Sequence, residues 1–76
     1  MLEELKKILE TKPHTIEIFF GSTTNFRAVD AEISLGESFY GEETLSIHAT
    51  GAEFNLDIRQ IRSVSGNNPG ELLIFI

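Results

Sequence analysis

The chain contains no cysteine and no tryptophan, and only two of its 76 residues are proline. Without cysteine, neither a disulfide nor a thiolate-bound zinc ion can stabilise the fold. A chain of this length lies near the lower limit at which one hydrophobic core suffices. The sequence therefore predicts a single domain over residues 1–76, which must bury most of its large aliphatic and aromatic side chains or share a core with a partner.

Long apolar runs are also missing. No stretch approaches the roughly 18 residues of a membrane-spanning helix. Near the N-terminus, four charged residues interrupt the chain before the apolar part of a signal peptide could form: Glu3, Glu4, Lys6 and Lys7. We therefore expect a soluble, cytoplasmic protein without a membrane partner.

Basic residues are few, 6 against 12 acidic ones, and the formal net charge is −6. Repulsion from phosphate argues against general binding to nucleic acid or to anionic membranes, although it does not exclude a local basic patch. Neither of the glycine-rich phosphate-binding patterns, G-x-G-x-x-G or G-x-x-x-x-G-K, occurs. The sequence therefore indicates no nucleotide cofactor, and we expect none of any kind.

The clearest pattern is a strict alternation of apolar and polar residues on both sides of Thr50-Gly51. A turn at that pair places every apolar residue opposite an apolar one and every polar residue opposite a polar one. The pairs are Ala49 with Ala52, Ile47 with Phe54, Leu45 with Leu56, His48 with Glu53, Ser46 with Asn55, and Thr44 with Asp57. A slip of one residue would turn every side chain of one strand to the wrong face. The sequence therefore predicts a β-hairpin in which Leu56 is buried and His48 is exposed.

Residues 2–12 are predicted to form an amphipathic helix, which Pro13 ends. Its apolar side consists of Leu2, Leu5, Ile8 and Leu9. A helix of about eleven residues is too short to be stable alone. Its apolar side must therefore dock on the protein's own sheet or on a neighbouring subunit.

The next hairpin is predicted to join a strand at residues 15–20 to one at about 25–33, and its register is open. A four-residue loop, which we prefer, pairs Phe19 with Phe26, whereas a loop one residue longer pairs Phe20 with Phe26. In the preferred register the inward-facing residues of the second strand are Val29, Ala31 and Ile33. A bulge would let Phe26 also reach the core.

Residues 72–76 are apolar at every position, so this strand should be covered on both faces. An uncovered strand of this kind would be an aggregation hazard, and we expect a sheet neighbour, a helix or another subunit over it. A short strand at residues 62–65 precedes it. Between the two, Pro69 and Gly70 suit the centre of a type II turn.

Two irregular segments complete the chain. The alternation breaks at residues 58–61, which predicts a tight single turn. Residues 35–43 are predicted to form a loop in which Gly36 and Gly41 flank two adjacent aromatic residues, Phe39 and Tyr40. An extended loop cannot point both aromatic side chains into one core. One of them is therefore a candidate anchor for a partner, and the alternative is a loop that folds back over the core and buries both.

These elements predict an α+β, mostly β fold: an N-terminal helix followed by about six antiparallel strands in hairpins, forming a small curved sheet or a partly open barrel. The order resembles that of Sm-like and SH3-like barrels, and the resemblance is one of topology. Where Sm-like proteins carry Asp-x-x-Met-Asn, Asp30 is followed by Ala31-Glu32-Ile33-Ser34. Where they carry Arg-Gly, this chain has Arg59-Gln60.

His48 is the one candidate for catalysis, since it shares the polar face of the predicted hairpin with Glu53, Ser46 and Asp57. Nothing in the sequence supplies an oxyanion hole, so an exposed cross-strand His–Glu pair is the favoured interpretation. Glu53 and Asp57 would lie roughly 13 Å apart along the strand. That separation is too large for one metal ion to bridge with ligands near 2 Å, and we expect no metal site there.

Four residues are candidates for binding a partner: Phe39, Tyr40, Arg59 and Arg62. The two arginines could form a fork for phosphate or carboxylate, and stacking with the aromatics would extend such a site to single-stranded RNA. The alternative for the arginines is a set of salt bridges to Asp57 or Glu71.

The leading hypothesis is a small acidic, non-enzymatic binding or assembly module that acts through protein–protein contacts and self-associates as a homo-oligomer. We expect a homodimer or larger ring at micromolar concentration, with residues 72–76 or the apolar side of the helix in the contact. The alternative, implied by the resemblance, is an Sm-like RNA-binding ring that uses Arg59 and Arg62. An enzyme built on His48 is a weaker third hypothesis.

Overall fold

The computed structural model describes residues 1–37, 40–66 and 68–76. One helix and seven strands lie in this part of the chain, and the mostly β, α+β class is confirmed. Along the chain they are α1 (Leu2–Glu10), β1 (Thr15–Phe20), β2 (Thr24–Ala28), β3 (Glu32–Glu37), β4 (Glu43–Ala49), β5 (Ala52–Asp57), β6 (Ser63–Ser65) and β7 (Glu71–Phe75). A single 3-10 turn, Ile58–Gln60, follows β5 where the alternation breaks, as predicted.

The strands form two sheets, ordered β2-β1-β7-β6 and β3-β4-β5. Every pairing is antiparallel except that of β1 with β7, which is parallel and sets Ile16 opposite Leu72 and Ile18 opposite Ile74. The apolar strand β7 therefore has a neighbour on each edge. A sheet neighbour is present, as expected, although a parallel partner from the start of the chain was not predicted. The expected cover on both faces is found on one face only: Leu72 and Ile74 are fully buried, whereas Leu73 and Phe75 are partly exposed.

One apolar core joins both sheets and the helix. Its fully buried side chains are Leu5, Ile16, Ile18, Leu45, Ile47, Leu72 and Ile74. The helix contributes Leu5 to this core, with Leu2, Ile8 and Leu9 packed against it, so the predicted docking of the helix on the protein's own sheets is present. Within the described residues, no helix is long and apolar enough to cross a bilayer.

The helix ends at Glu10, two residues earlier than predicted. Lys12 adopts a left-handed φ of 53°, which lies outside the right-handed helical region that the following proline disfavours. The predicted turn at Pro69-Gly70 is present: the Glu71 N–H donates to the Asn68 carbonyl at 3.1 Å, and Gly70 has a φ of 76°. That carbonyl-to-amide bond and the positive φ at the third position define a type II turn.

The hairpin of β4 and β5 has the predicted register at all of its pairs, from Ala49 opposite Ala52 to Thr44 opposite Asp57. Leu56 is buried and His48 is exposed, as the alternation requires. The polar face is linked by a hydrogen bond from a serine hydroxyl to an asparagine side chain: Ser46 Oγ donates to Asn55 Oδ1 at 2.9 Å.

Both proposed registers of the first hairpin are wrong. The loop has three residues, and β1 pairs with β2 so that Phe20 lies opposite Thr24 and Ile18 opposite Phe26. The shift puts Ala28 into the core and leaves Val29, which the sequence placed inward, 57% exposed. Phe26 faces the core without a bulge and packs at 4.6 Å, centroid to centroid, from the ring of Phe54.

The predicted strand at residues 25–33 is two strands, β2 and β3, which belong to different sheets. Asp30 takes a left-handed φ of 53°, a conformation that aspartate tolerates better than most residues. The next residue, Ala31, is buried as predicted, and its N–H donates to the His14 carbonyl at 2.8 Å. The chain therefore bends at Asp30 from one sheet to the other, and β3 extends to Glu37, into the segment predicted to be irregular.

Candidate binding surfaces

Arg59 is held by two carboxylates at one end of the three-stranded sheet. Its Nη2 lies 2.7 Å from Asp57 Oδ2 and 2.8 Å from Glu42 Oε2. The Arg59 backbone N–H also donates to Asp57 Oδ1 at 2.9 Å, which caps the 3-10 turn. The salt bridge to Asp57 that the sequence offered as an alternative is present, and a phosphate at Arg59 would have to compete with two carboxylates.

These hydrogen bonds stabilise the ionised form of Asp57. The Arg59 side chain and then its backbone N–H lower the pKa of Asp57 from 3.8 to about 2. A carboxyl group whose pKa is lower in the folded state stabilises the fold above its unfolded pKa. The contribution of Asp57 is therefore present above about pH 4 and is lost as the pH falls towards 2.

Replacement of Asp57 by asparagine should therefore make the free energy of unfolding less dependent on pH between about 4 and 2. The variant Glu4→Gln, which removes an exposed carboxylate from the helix, is the matched control. Denaturant unfolding of both variants across this pH range is the measurement. Identical acid profiles for wild type and Asp57→Asn would contradict the role assigned to Arg59.

Tyr40 lies in the turn after β3 and is 85% exposed. The same turn carries Glu42, whose carboxylate binds Arg59. The structure thus brings two of the predicted binding residues to one end of the molecule. Arg62 lies outside this cluster: its backbone N–H donates to the Phe75 carbonyl at 2.7 Å, and in the described part of the chain its side chain forms no ion pair. The fourth candidate, Phe39, lies outside the described residues.

An open cavity of about 250 Å³ adjoins this cluster, lined by Glu42, Glu43, Asp57, Ile58 and Arg59. Three carboxylates surround one guanidinium there, so the wall has a negative net charge. Such a wall repels phosphate, which gives the RNA hypothesis little support at this end of the molecule.

His48 forms the exposed cross-strand pair that the sequence favoured. Its Nε2 lies 3.8 Å from Glu53 Oε1, and both side chains are more than half exposed. Open solvent on both sides offers neither a dry pocket nor an oxyanion hole to a nucleophilic site. Among the described residues, no group of three or more His, Cys, Asp or Glu side chains is placed to hold a metal ion.

The outer face of the four-stranded sheet carries an apolar surface, of which only the part in residues 72–76 was predicted from the sequence. The rings of Phe19 and Phe75 stack with centroids 5.0 Å apart and planes within 10° of parallel. Leu73 lies two residues before Phe75 and points to the same side. All three side chains are partly exposed, whereas Ile18 and Ile74, on the opposite face, are fully buried. We call Phe19, Leu73 and Phe75 the outer apolar patch.

Charged groups beside the patch are paired within the chain. Arg27 Nη1 lies 3.3 Å from Glu17 Oε1 and 3.2 Å from Glu71 Oε1, and Asn25 donates a further hydrogen bond to Glu17. Strand alternation puts these side chains on the same face as Phe19 and Leu73. The border of the patch therefore carries one positive and two negative side chains, a net charge of −1, in a protein whose net charge is −6.

A groove separates the helix from strand β3. It is a shallow, open depression of about 390 Å³, lined by Lys6, Leu9, Glu10, Ile33, Ser34 and Leu35. Leu9, Ile33 and Leu35 are partly exposed and form its apolar floor. We call it the α1–β3 groove. The groove could not be predicted from the sequence, because residues 35–37 were expected to form a loop.

Comparison of the chain with protein-family models, with curated proteins and with solved structures gave no match.

Proposed function

We propose that the protein is a non-enzymatic binding and assembly module that self-associates through the outer apolar patch. The observation that carries the proposal is the stack of Phe19 on Phe75, because it lies on the sheet face that points away from the core and keeps part of its surface exposed. Contiguous apolar surface of this kind, bordered by polar residues, is typical of protein–protein contacts.

Charge favours a second copy of the chain as the occupant. Two copies that each carry −6 repel each other wherever unpaired acidic side chains meet. At the patch this cost is small, since Arg27 pairs with both Glu17 and Glu71 and leaves a net charge of only −1 there. A two-fold axis through the patch would bring Phe19 and Phe75 against the same residues of the second copy, and two-fold contacts are the commonest in homo-oligomers.

The area of the outer sheet face sets the expected strength of self-association. Four strands spaced about 4.8 Å apart, with five residues at about 3.3 Å each, give a face of about 300 Å². Stable interfaces bury about 800 Å² per partner. The proposal is therefore a weak homodimer, formed by packing of one sheet on another, whose population rises with protein concentration.

Sedimentation velocity from micromolar to millimolar concentration tests the proposal. We expect the mass of the wild type to rise above the 8.5 kDa of one chain. Leu73→Lys should keep the protein monomeric, and its fold should persist because the new ammonium group faces Glu17 across β1 and β7. Val29→Lys makes the same change of charge at an exposed site outside the patch and should associate like the wild type. A wild-type mass of 8.5 kDa throughout would contradict the proposal.

A further inference from the structure

Strand β3 is an edge strand, since it pairs only with β4 in the three-stranded sheet. The pairing of the neighbouring hairpin determines which backbone N–H and C=O groups of β3 point towards β4 and which point away from the sheet. A two-residue loop at Thr50-Gly51 makes Ala49 and Ala52 a hydrogen-bonded pair. Alternation along β4 then directs the backbone groups of residues 48, 46 and 44 towards β3.

On β3 the partners of those residues are 32, 34 and 36. The backbone N–H and C=O groups of Ile33 and Leu35 therefore point away from the sheet. Within the described chain, no backbone–backbone hydrogen bond outside the β3–β4 ladder involves residues 32–37. An edge of unpaired backbone groups is a template for a further strand.

The α1–β3 groove lies along this edge. Its floor is formed by Leu9 from the helix and by Ile33 and Leu35, whose side chains face inward while their backbone groups face outward. A strand added to β3 would direct alternate side chains into the groove and the others onto the outer face of the sheet. The groove thus suits an extended segment that is apolar at every second residue.

The charged side chains around the groove indicate which residues should alternate with the apolar ones in the bound segment. Glu10 lines the groove on the helix side, and Glu32 projects from the outer face of β3, whereas Lys6 is the single basic residue of the lining. We propose that the α1–β3 groove binds an extended peptide segment of a partner protein by strand addition to β3, and that this segment alternates apolar residues with basic ones. The groove is separate from the outer apolar patch, so this proposal and self-association can fail independently.

A synthetic heptapeptide of alternating lysine and valine, acetylated and amidated at its ends, is a suitable probe. Binding is followed by NMR on the full chain with the monomeric Leu73→Lys variant, so that self-association does not interfere. We expect saturable binding that slows amide exchange at Ile33 and Leu35, whose N–H groups gain partners. The amide of Ser34, already bonded to β4, should not gain protection.

Two N-methylated forms of the peptide separate strand addition from simple apolar or electrostatic contact, because they keep the same charge. An added strand turns alternate N–H groups towards β3. In an antiparallel arrangement, methylation of the valine nitrogens should abolish binding and methylation of the lysine nitrogens should be tolerated; a parallel arrangement reverses the two. Either result supports the proposal, and equal effects of the two methylations would overturn it.

Glu10→Lys should weaken binding of the unmodified peptide by about two- to fivefold, the range of an exposed ion pair. Glu4→Lys has the same net charge but alters an exposed helix position outside the groove, so it should bind like the parent. Equal loss in the two variants would show general attraction only and overturn the proposal. Protection of Ile33 and Leu35 that rises with protein concentration, without peptide, would identify a second copy as the occupant and overturn it as well.

Discussion

Leu56→Ala is expected to lower the free energy of unfolding by about 2–5 kcal/mol. Leu56 is buried on β5 directly opposite Leu45, which is fully buried. Shortening it removes apolar burial and leaves a cavity that the surrounding strands can fill only in part. At the usual values per residue, a chain of this length has a total stability of about 4–11 kcal/mol. The variant should therefore lose a large fraction of its stability.

The matched variant is His48→Ala in the neighbouring strand. It removes one partner of an exposed cross-strand pair and should cost less than about 1 kcal/mol. Urea unfolding of the two variants, side by side, measures both values. Equal destabilisation would require a buried His48 and would contradict the register of the hairpin.

Gly66→Ala is expected to destabilise the protein by about 1–3 kcal/mol through overpacking. A Cβ atom at Gly66 would lie 2.9 Å from Ile8 Cγ1 and 3.1 Å from both Cδ1 and Cγ2. All three carbons belong to the branched side chain of Ile8, and rotation about its outer bond cannot move all of them away from the new Cβ. The helix itself must therefore shift away from the end of β6, and Leu5 would lose part of its contact with the core.

Gly36→Ala is the control for this prediction. A Cβ at Gly36 would meet only Thr44 Oγ1, at 4.0 Å, so this change should be neutral within about 0.5 kcal/mol or slightly stabilising. In an Ile8→Ala background, Gly66→Ala should cost much less than it does alone, because the obstructing carbons are gone. Additive losses in the double variant, measured by denaturant unfolding, would show that Gly66 does not limit helix docking.

The hairpin of β4 and β5 was predictable because local pattern and turn agree. Alternation on both sides of Thr50-Gly51 admits one register, and any slip would bury His48 or expose Leu56. The break at Ile58 is just as local. There a polar side chain, that of Asp57, caps the turn.

The division of residues 25–33 between two sheets was not predictable from alternation, because Val29, Ala31 and Ile33 continue an apolar series across the bend. The bend depends on the left-handed φ of Asp30 and on the hydrogen bond from Ala31 to His14. Both are features of the folded chain and leave only a weak trace in composition. The parallel pairing of β1 with β7 joins opposite ends of the sequence, for which a single sequence holds no local signal.

The binding surfaces, too, were predictable from the sequence only where they depend on local residue type and not on the strand order. Tyr40 and Arg59 were recognisable as candidates from residue type, and Tyr40 is exposed. The outer apolar patch depends on Phe19 and Phe75 meeting across the parallel pair, so it could be found only after the strand order was known. In the sequence, the one indication of the patch was that residues 72–76 are apolar at odd and even positions alike.

An NMR dilution series of the wild-type protein tests the central claim, self-association through the outer apolar patch, most directly. Between micromolar and millimolar concentration, the amide shifts of Phe19, Leu73 and Phe75 should move together along one binding curve. The amide shifts of the exposed hairpin face around His48 should stay constant. Shifts that do not depend on concentration, or that move on the His48 face instead, would contradict the account.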